Sequence, residues 1–321
     1  MNKIMTKFCN PKNGLELKYK NNTLKDINGN IFSIINNIPR FVELENYSSS
    51  FGFQWNYFNE TQIDFHNNTS ITRSRFFRTT RWTEEDLKDS KVLEVGSGSG
   101  RFTQILLELG TNLFSFDYSN AVEANAKNNG HFNNLTLCQA SVYEIPFAKK
   151  YFDKICCLGV LQHTPDVEKS FACMLEHLKP GGEIVVDVYA DTFKTKFYSK
   201  YFFRFFTKKI KKETLLHLIA SYVPLWMPIS NLFLGIPLIG KFLAQIIPIC
   251  NYSKQFPELS KKQLEEWAIL DTFDMLSPEY DTPQKYSTLK KWIEKYNLEE
   301  IYLCRGDNGF ILKAKSKICV A

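Results

Sequence analysis

A run of three glycines at alternate positions constrains the fold of this chain more than any other feature. The glycines lie in "KVLEVGSGSGRFT", residues 91–103, after the apolar run "KVLEV" and before a segment with helical spacing. A strand that ends in glycine at the start of a helix brings bare backbone N–H groups and a helix N-terminus to one point. Gly96, Gly98 and Gly100 therefore predict a nucleotide cofactor held against this turn, with a ligand-free tight turn as the alternative.

Strands alternate with helices along the chain after this turn. The apolar runs "NLFSFD", "LTLCQA", "YFDKICCLGVL" and "GGEIVVDVY" are typical of strands, and segments with helical spacing lie between most of them. This alternation predicts a parallel sheet with helices on both faces. Near the C-terminus, "EEIYLCRGDNGFILKAKS" predicts two strands joined by a hairpin turn at 307–309, so that the last strand runs antiparallel.

The glycine spacing distinguishes two classes of cofactor site. Dinucleotide sites use G-x-G-x-x-G, whereas this chain has E-x-G-x-G-x-G with Glu94 inside the strand. Five ordered blocks resemble those of class I S-adenosylmethionine-dependent methyltransferases of the small-molecule type found in ubiquinone and sterol biosynthesis. The blocks are "VLEVGSGSGRFT", "FSFDYS", "QASVYEIPF", "YFDKICCLGVLQHTPD" and "LEHLKPGGEIVV".

This resemblance covers residues 91–189 and 285–315 and implies a fold, a cofactor and an activity. The fold is an α/β, Rossmann-like, seven-stranded and mostly parallel sheet with an antiparallel last strand and helices on both faces. The cofactor that the resemblance implies is S-adenosyl-L-methionine, and the expected activity is methyl transfer.

The resemblance also implies the cofactor-binding residues. Glu94 could accept hydrogen bonds from the cofactor's ammonium group, and both oxygens of Asp117 could accept from the ribose hydroxyls. At Ser141 the chain departs from the family, which commonly has Asp there, so a serine hydroxyl would donate to the adenine. The predicted cofactor-binding residues are Glu94, Gly96, Ser97, Gly98, Gly100, Asp117, Tyr118, Ser141, Val142 and Leu158.

His163 is the candidate catalytic residue. It follows the fourth strand in "LQHTPD", at the carboxyl edge of the sheet where open α/β folds bind ligands. Related small-molecule methyltransferases often have a histidine here, and some use it as a base or an orienting group. The alternative is a histidine that caps the turn or packs on the cofactor.

The domain organisation follows from changes in composition along the chain. The N-terminal segment resembles a degenerate zinc ribbon, but Cys9 lacks the partner cysteines that a structural zinc needs, so we expect no metal. The predicted units are a β-rich N-terminal unit at 1–45, an aromatic linker or lid at 46–90, the methyltransferase domain at 91–189 and 284–321, and a mainly helical insertion after strand 5 at 190–283.

The insertion pairs a cationic, aromatic stretch with a long uncharged one. Three prolines interrupt the uncharged stretch, at 224, 228 and 237, so we expect bent helices rather than one straight spanning helix. Two interpretations of 191–250 stay open, a cap over the acceptor pocket and a peripheral membrane contact. The acids Asp271, Asp274 and Asp281 could hold sugar hydroxyls or an amine, or could cap helices.

Composition restricts the partners. A net charge of +6 over 321 residues does not demand nucleic acid, and we expect none as a partner. The eight cysteines form no C-x-x-C pair, and the N-terminal residues lack an apolar signal core, so we expect a cytoplasmic protein, at the inner face of the membrane if 191–250 contacts it. The expected acceptor is a small molecule, a sugar or a lipid-linked compound. A quinone or lipid precursor is one alternative acceptor, and a non-catalytic cofactor-binding interaction or membrane module is an alternative of another class.

Overall fold

The computed structural model describes residues 8–43, 46–193, 195 and 198–318. An antiparallel sheet opens the chain, and its turns contain Asn21, Asn22, Asn36 and Asn37 in the left-handed backbone region that asparagine tolerates. The sheet consists of β1 (Lys18–Lys20), β2 (Thr23–Lys25), β3 (Ile31–Ile35) and β4 (Ile38–Pro39).

This N-terminal sheet is joined to the rest of the molecule through its last strand and its apolar side chains. Phe41 donates its backbone N–H to the carbonyl of Gln139 at 2.9 Å, and Arg40 forms a parallel bridge with the same residue. Phe8 stacks on Phe147 with ring centroids 5.4 Å apart. The predicted β-rich unit therefore shares a hydrophobic core with the main sheet, and the boundary at residue 45 stays a prediction.

Four helices connect the N-terminal sheet to the main sheet. The fourth begins with a capping box, in which the Thr83 hydroxyl and the Asp86 carboxylate each accept a backbone N–H of the other residue. The helices are α1 (Ser49–Tyr57), α2 (Asp64–Asn67), α3 (Ile71–Thr80) and α4 (Glu84–Leu87).

The central α/β unit follows, and its strands alternate with helices as the sequence predicts. Its elements are β5 (Lys91–Val95), α5 (Arg101–Glu108), β6 (Asn112–Asp117), α6 (Val122–Asn129), β7 (Leu135–Gln139), β8 (Phe152–Leu158), a 3₁₀ turn (Leu161–His163), α7 (Val167–Leu175) and β9 (Leu178–Val188).

The insertion after β9 and the C-terminal hairpin complete the chain. The insertion is helical, and the chain then returns to the main sheet. These elements are α8 (Ser199–Thr207), α9 (Lys212–Gly235), α10 (Gly240–Ala244), α11 (Lys261–Leu276), α12 (Tyr286–Lys295), β10 (Leu298–Arg305) and β11 (Phe310–Ser316).

The main sheet has seven strands in the order β10-β11-β9-β8-β5-β6-β7. The pairs among β5, β6, β7, β8 and β9 are parallel, and β11 pairs antiparallel with both β9 and β10. The predicted Rossmann-like sheet with an antiparallel last strand is therefore confirmed.

Alternate residues of each strand pack on opposite faces of this sheet. On β5, Leu93 joins one hydrophobic cluster with Phe171 of α7 and Trp292 of α12, whereas Val92 joins another cluster with Phe102 of α5. Helices therefore cover both faces, and the carboxyl edge of the parallel strands is open to a ligand.

Helix α9 differs from the expectation that its prolines would interrupt it. It runs without a break through Pro224 and Pro228, and only Pro237 lies beyond its end. Each proline removes one backbone hydrogen bond and both are exposed, while Val223 and Met227 on the opposite side pack into a core cluster with Phe273 of α11. Tertiary packing outweighs the local cost of the two prolines. Helix α9 is also the one helix in the described ranges that is long and apolar enough to cross a membrane, a length and composition that core helices of soluble proteins share.

Candidate active site

The residues that the sequence singles out converge on the carboxyl edge of the main sheet. The glycine loop follows β5, Asp117 ends β6, Val142 follows β7, and the 3₁₀ turn with His163 follows β8. These four strands are neighbours, so their C-terminal loops meet around one cavity. This is the position at which open α/β sheets bind ligands.

The glycine loop presents bare backbone to this cavity. Gly96 and Gly98 have φ angles of +78° and +54°, in the left-handed region. A Cβ atom on Gly96 would lie 2.4 Å from a methyl group of Val160, and one on Gly98 would lie 3.1 Å from the ring of Trp55. Any side chain larger than hydrogen would therefore fill the space between the loop and the opposite wall.

Gly100 has a different role from the other two glycines. A Cβ atom on Gly100 would lie 2.3 Å from the side-chain oxygen of Asn125 and 2.2 Å from the side-chain amide nitrogen of Asn129. The residue starts α5 and allows that helix to pack against α6. It does not line the cavity, so its place in the site is indirect.

Asp117 is half-buried at the end of β6 and lines the cavity. Its Oδ2 accepts the Gly98 N–H at 2.9 Å, and its Oδ1 accepts both the backbone N–H and the hydroxyl of Ser119. Burial raises the pKa of Asp117, while these hydrogen bonds favour its charged form. Because a carboxylate offers about four acceptor sites, it retains capacity for a ligand hydroxyl.

Glu94 lies one layer beneath the cavity rather than on its wall. Its Oε2 accepts the hydroxyls of Thr103 and Ser115 at 2.5 and 2.7 Å, while its buried Oε1 has no hydrogen-bond partner among the described residues. Burial raises the pKa of Glu94 from 4.5 to about 7 despite these two donors. An orphaned buried carboxylate oxygen fits a cationic ligand group, directly or through water.

The pKa of Glu94 makes stability depend on pH. The folded protein binds the proton of the Glu94 carboxyl more tightly than the unfolded chain does. The stability that this protonation contributes is therefore fully present below pH 4.5 and is lost as pH rises to about 7. A neutral glutamine has no such dependence. As pH rises from 4.5 to about 7, we expect the free energy of unfolding of Glu94→Gln to increase relative to that of the parent protein by up to ~3 kcal/mol. Urea unfolding of both proteins across this range measures the difference, and parallel pH profiles would contradict it.

Aromatic side chains from α1 and the segment before it cover the cavity. The ring of Tyr47 packs on that of Tyr118, with centroids 4.8 Å apart, and Phe51 and Trp55 line the same wall. The aromatic segment that the sequence analysis interpreted as a linker or lid therefore forms one side of the site. The sequence predicts Tyr118 as a site residue but not Tyr47, Phe51 or Trp55, for which the aromatic density of the segment was the available signal.

The remaining predicted cofactor residues divide between the wall of the cavity and its support. Ser97, Val142 and Leu158 line the cavity. The Ser141 hydroxyl instead accepts the Tyr143 N–H at 3.1 Å, and this side chain is not part of the wall. Its predicted adenine contact therefore stays a prediction.

His163 is buried on the cavity wall with one ring nitrogen free. Its Nδ1 lies 2.9 Å from the carbonyl oxygen of Tyr280, which can only accept, so Nδ1 carries the proton. Nε2 is then an unprotonated acceptor, and it has no partner among the described residues. Burial lowers the pKa of His163, which keeps the ring neutral. A neutral imidazole with a free nitrogen can accept a proton from a bound molecule.

A second cavity of about 360 Å³ adjoins the first. The two share part of their walls, and the second extends between β9, the insertion and the C-terminal hairpin. The side chains or backbone common to both are Trp55, Arg101, Gly159 and Asp274.

Charged and hydrogen-bonding groups dominate the second cavity. Gln62 accepts from Arg101 and donates to Asp271 at 3.0 Å, so it connects a cation with an anion. Burial and the neighbouring Arg75 lower the pKa of Arg101 to about 10. Burial raises the pKa of Asp271 to about 6. Polar lining of this density fits a polar molecule.

The three acids of the insertion have different surroundings. Asp271 and Asp274 line the second cavity from within α11 and do not cap a helix. Asp274 accepts from Gln54 at 3.2 Å and lies 3.5 Å from the Tyr189 hydroxyl. Asp281 forms a buried ion pair with Lys200 at 2.7 Å. The described residues contain no group of three or more metal-ligating side chains, at Cys9 or elsewhere.

Comparison with known proteins identifies the domain that carries the glycine loop. A family model described as a methyltransferase domain matches residues 93–186. The tRNA U34 carboxymethyltransferase of Nautilia profundicola is 33% identical over 105 residues, 32% of this chain and 35% of that protein. The ubiquinone/menaquinone biosynthesis C-methyltransferase UbiE of Vibrio campbellii is 31% identical over 104 residues, 30% of this chain and 40% of that protein. The chain therefore spans well under half the length of these relatives.

Among solved structures, magnesium protoporphyrin IX methyltransferase from Synechocystis PCC 6803 with bound SAH is similar over 84% of this chain and 97% of its own. The TM-score is 0.45 and the sequence identity is 13%.

Proposed function

We propose, from the premise that residues 93–186 form a class I S-adenosylmethionine-dependent methyltransferase domain, that this protein transfers a methyl group to a small polar acceptor. The observation that carries the proposal is the pair of adjoining cavities. One is lined by the glycine loop and Asp117, and the other by buried charges. Two substrates bound in them would meet beside Gly159 and Asp274.

The residues of the first cavity fit S-adenosylmethionine. The backbone of the Gly96–Gly98 turn would lie against the methionine and ribose portions, and Asp117 would accept from the ribose hydroxyls. Tyr47 and Tyr118 offer aromatic faces to the adenine. When bound, the cofactor supplies an electrophilic methyl group on a sulfonium.

His163 would act as the base for an acceptor that must lose a proton. Its free Nε2 would accept the proton of a hydroxyl or amine acceptor, while the Tyr280 carbonyl holds the ring in the required tautomer. The cover formed by Phe51 and Trp55 would exclude water from the transferring group. A base with a free nitrogen favours catalysis over a binding-only module.

The charges of the second cavity favour a polar acceptor, such as a sugar, over an apolar ring. Placing a quinone precursor against Arg75, Arg101 and Asp271 would remove water from these groups without replacing their hydrogen bonds. A quinone precursor remains the second candidate, because the Vibrio campbellii relative is a ubiquinone/menaquinone methyltransferase. Free thiols at every described cysteine support a cytoplasmic reaction.

Methyl transfer can be tested without knowing the acceptor. The protein is incubated with S-adenosylmethionine labelled in the methyl group and a cell extract, and the products are hydrolysed and partitioned between water and organic solvent. We expect label in a water-soluble fragment. Label in an apolar ring would favour the quinone candidate, and intact cofactor binding without transfer would favour a non-catalytic module.

Asp117→Ala should weaken S-adenosylmethionine binding by roughly 1–3 kcal/mol, because charge-assisted hydrogen bonds to the ribose are lost. Titration calorimetry measures this change. The matched control is Asp153→Ala, which removes an aspartate that pairs with Lys179 at the start of β8, the opposite edge of the sheet. Equal losses in the two variants would mean that Asp117 acts through stability alone.

A further inference from the structure

We propose that the helices of the insertion form a surface that binds a membrane containing anionic lipids. Helix α8 buries its charged side chains and exposes its aromatic ones, the reverse of the usual arrangement on a surface helix of a soluble protein. Its charged residues Lys200 and Arg204 are 8% and 6% exposed, whereas Phe202 and Phe205 are both 68% exposed. Soluble proteins place these residue types the other way round.

Specific contacts hold α8 in this orientation. Lys200 forms its buried ion pair with Asp281, and the Arg204 guanidinium donates to the carbonyls of Met275 and Pro278 at 3.1 and 2.8 Å. Since turning the phenylalanines inward would break these bonds and expose buried charges, their exposure is built into the fold. Lys200 also lines the second cavity, so α8 lies between that cavity and the exposed surface.

Helix α9 extends the apolar surface. One side packs through Leu216, Val223 and Met227 into the cluster that contains Phe273 of α11. The other side is exposed to solvent; its first turns carry the polar residues Glu213, His217 and Ser221, and beyond them it is mostly apolar. The exposed apolar residues of α9 are Leu218, Leu225, Trp226, Ile229 and Leu232.

The segment after α9 continues the same surface. A hydrogen bond of 2.8 Å from the Ser199 hydroxyl to the Gln245 carbonyl joins the end of this segment to the start of α8. A contiguous apolar surface of this kind is uncommon on soluble monomers and marks an interaction site. The exposed apolar residues of the segment after α9 are Ile236, Leu238, Ile239, Phe242 and Ile246.

Lysines at one end of this surface favour anionic lipid as its occupant. Lys209 and Lys211 are exposed in the turn between α8 and α9, while Lys208 beside them forms an ion pair with Glu279 at 3.0 Å. The Lys209 ammonium lies 5.3 Å from the ring centroid of Phe205, so cation and aromatic side chain face the same side. Aromatic and aliphatic side chains beside lysines suit the boundary between headgroups and acyl chains.

The packing of α9 favours a helix that lies on the membrane rather than one that crosses it. Although α9 is long enough to span a bilayer, its inner side is fixed against α11 from Leu215 to Met227. A crossing helix would have to leave this core. The surface formed by α8, α9 and α10 would therefore contact one leaflet.

Vesicle sedimentation tests the proposal on the full chain. We expect the protein to sediment with phosphatidylglycerol–phosphatidylcholine vesicles at low salt, and to detach as salt rises to about 0.5 M. A Phe202→Ser/Phe205→Ser variant should lose about tenfold or more in vesicle affinity. The matched control is Ile27→Ser/Phe65→Ser, which removes two apolar side chains outside the surface that are even more exposed, at 89% and 78%.

Other outcomes would overturn the proposal. A protein that stays in the supernatant with anionic vesicles does not bind membranes through this surface. Sedimentation that only detergent reverses would indicate a spanning helix. A dimer in analytical ultracentrifugation that the Phe202→Ser/Phe205→Ser variant abolishes, without vesicle binding, would make a second copy of the chain the occupant. Unchanged S-adenosylmethionine binding by each variant shows that it is folded, so the result is independent of the proposed activity.

Discussion

Gly98→Val should abolish measurable S-adenosylmethionine binding while leaving the protein folded. A Cβ at this position points at Trp55 from 3.1 Å, and the two further methyl groups of valine would fill the space between the glycine loop and α1. We expect a loss of affinity of at least ~100-fold, because the ligand would have to displace either the loop or the helix. Titration calorimetry with S-adenosylmethionine measures this loss.

The matched control for this substitution is Gly110→Val. Gly110 also has a left-handed backbone, with φ of +76°, but a Cβ there would have nothing within 4 Å. Valine at either position costs about 1–2 kcal/mol of backbone strain, so the pair separates strain from blockage. Binding that disappears in both variants, or persists in both, would contradict the assignment of the cavity.

His163→Ala should lower turnover by roughly 100-fold or more and leave cofactor affinity nearly unchanged. The reason is that its free Nε2 would take the proton from the substrate that receives the methyl group, whereas its Nδ1–H only donates a hydrogen bond to the Tyr280 carbonyl. Release of S-adenosylhomocysteine in the presence of an extract that supports transfer measures turnover. A drop in affinity with full turnover at saturating cofactor would instead indicate a packing role.

The pH profile and a second histidine sharpen this test. Because burial lowers the pKa of His163, the neutral base persists below pH 6.5 and turnover should fall only in more acidic solution. His177→Ala is the matched control, since His177 is also buried and its Nδ1 lies 3.1 Å from the Ala148 carbonyl, away from both cavities. Equal effects of the two substitutions would assign both to folding.

The sheet could be predicted from sequence because each of its elements carries a local signal. The residues of β5 and the three glycines specify a strand, a turn and a helix within one short segment. The turn at Asp307–Gly309 specifies the antiparallel strand β11 in the same way. Such local patterns predict the structure correctly where tertiary packing favours the same conformation as the local sequence does.

The second cavity could not be predicted because its walls come from distant parts of the chain. Trp55 lies on α1 and Asp274 on α11, and no periodicity relates them. The continuity of α9 was missed for a similar reason, since the packing of Val223 and Met227 on α11 outweighs two prolines. Sequence reasoning recognised the acids of the insertion but could not choose between capping and the cavity wall.

The walls that the two cavities share have a thermodynamic consequence. Trp55, Arg101 and Asp274 border both, so a molecule bound in one cavity alters the surroundings of a molecule bound in the other. Linkage requires the effect to be reciprocal, so any factor by which an acceptor changes cofactor affinity is the factor by which the cofactor changes acceptor affinity. Candidate acceptors can therefore be ranked by the shift each one causes in a cofactor titration, before any turnover is observed.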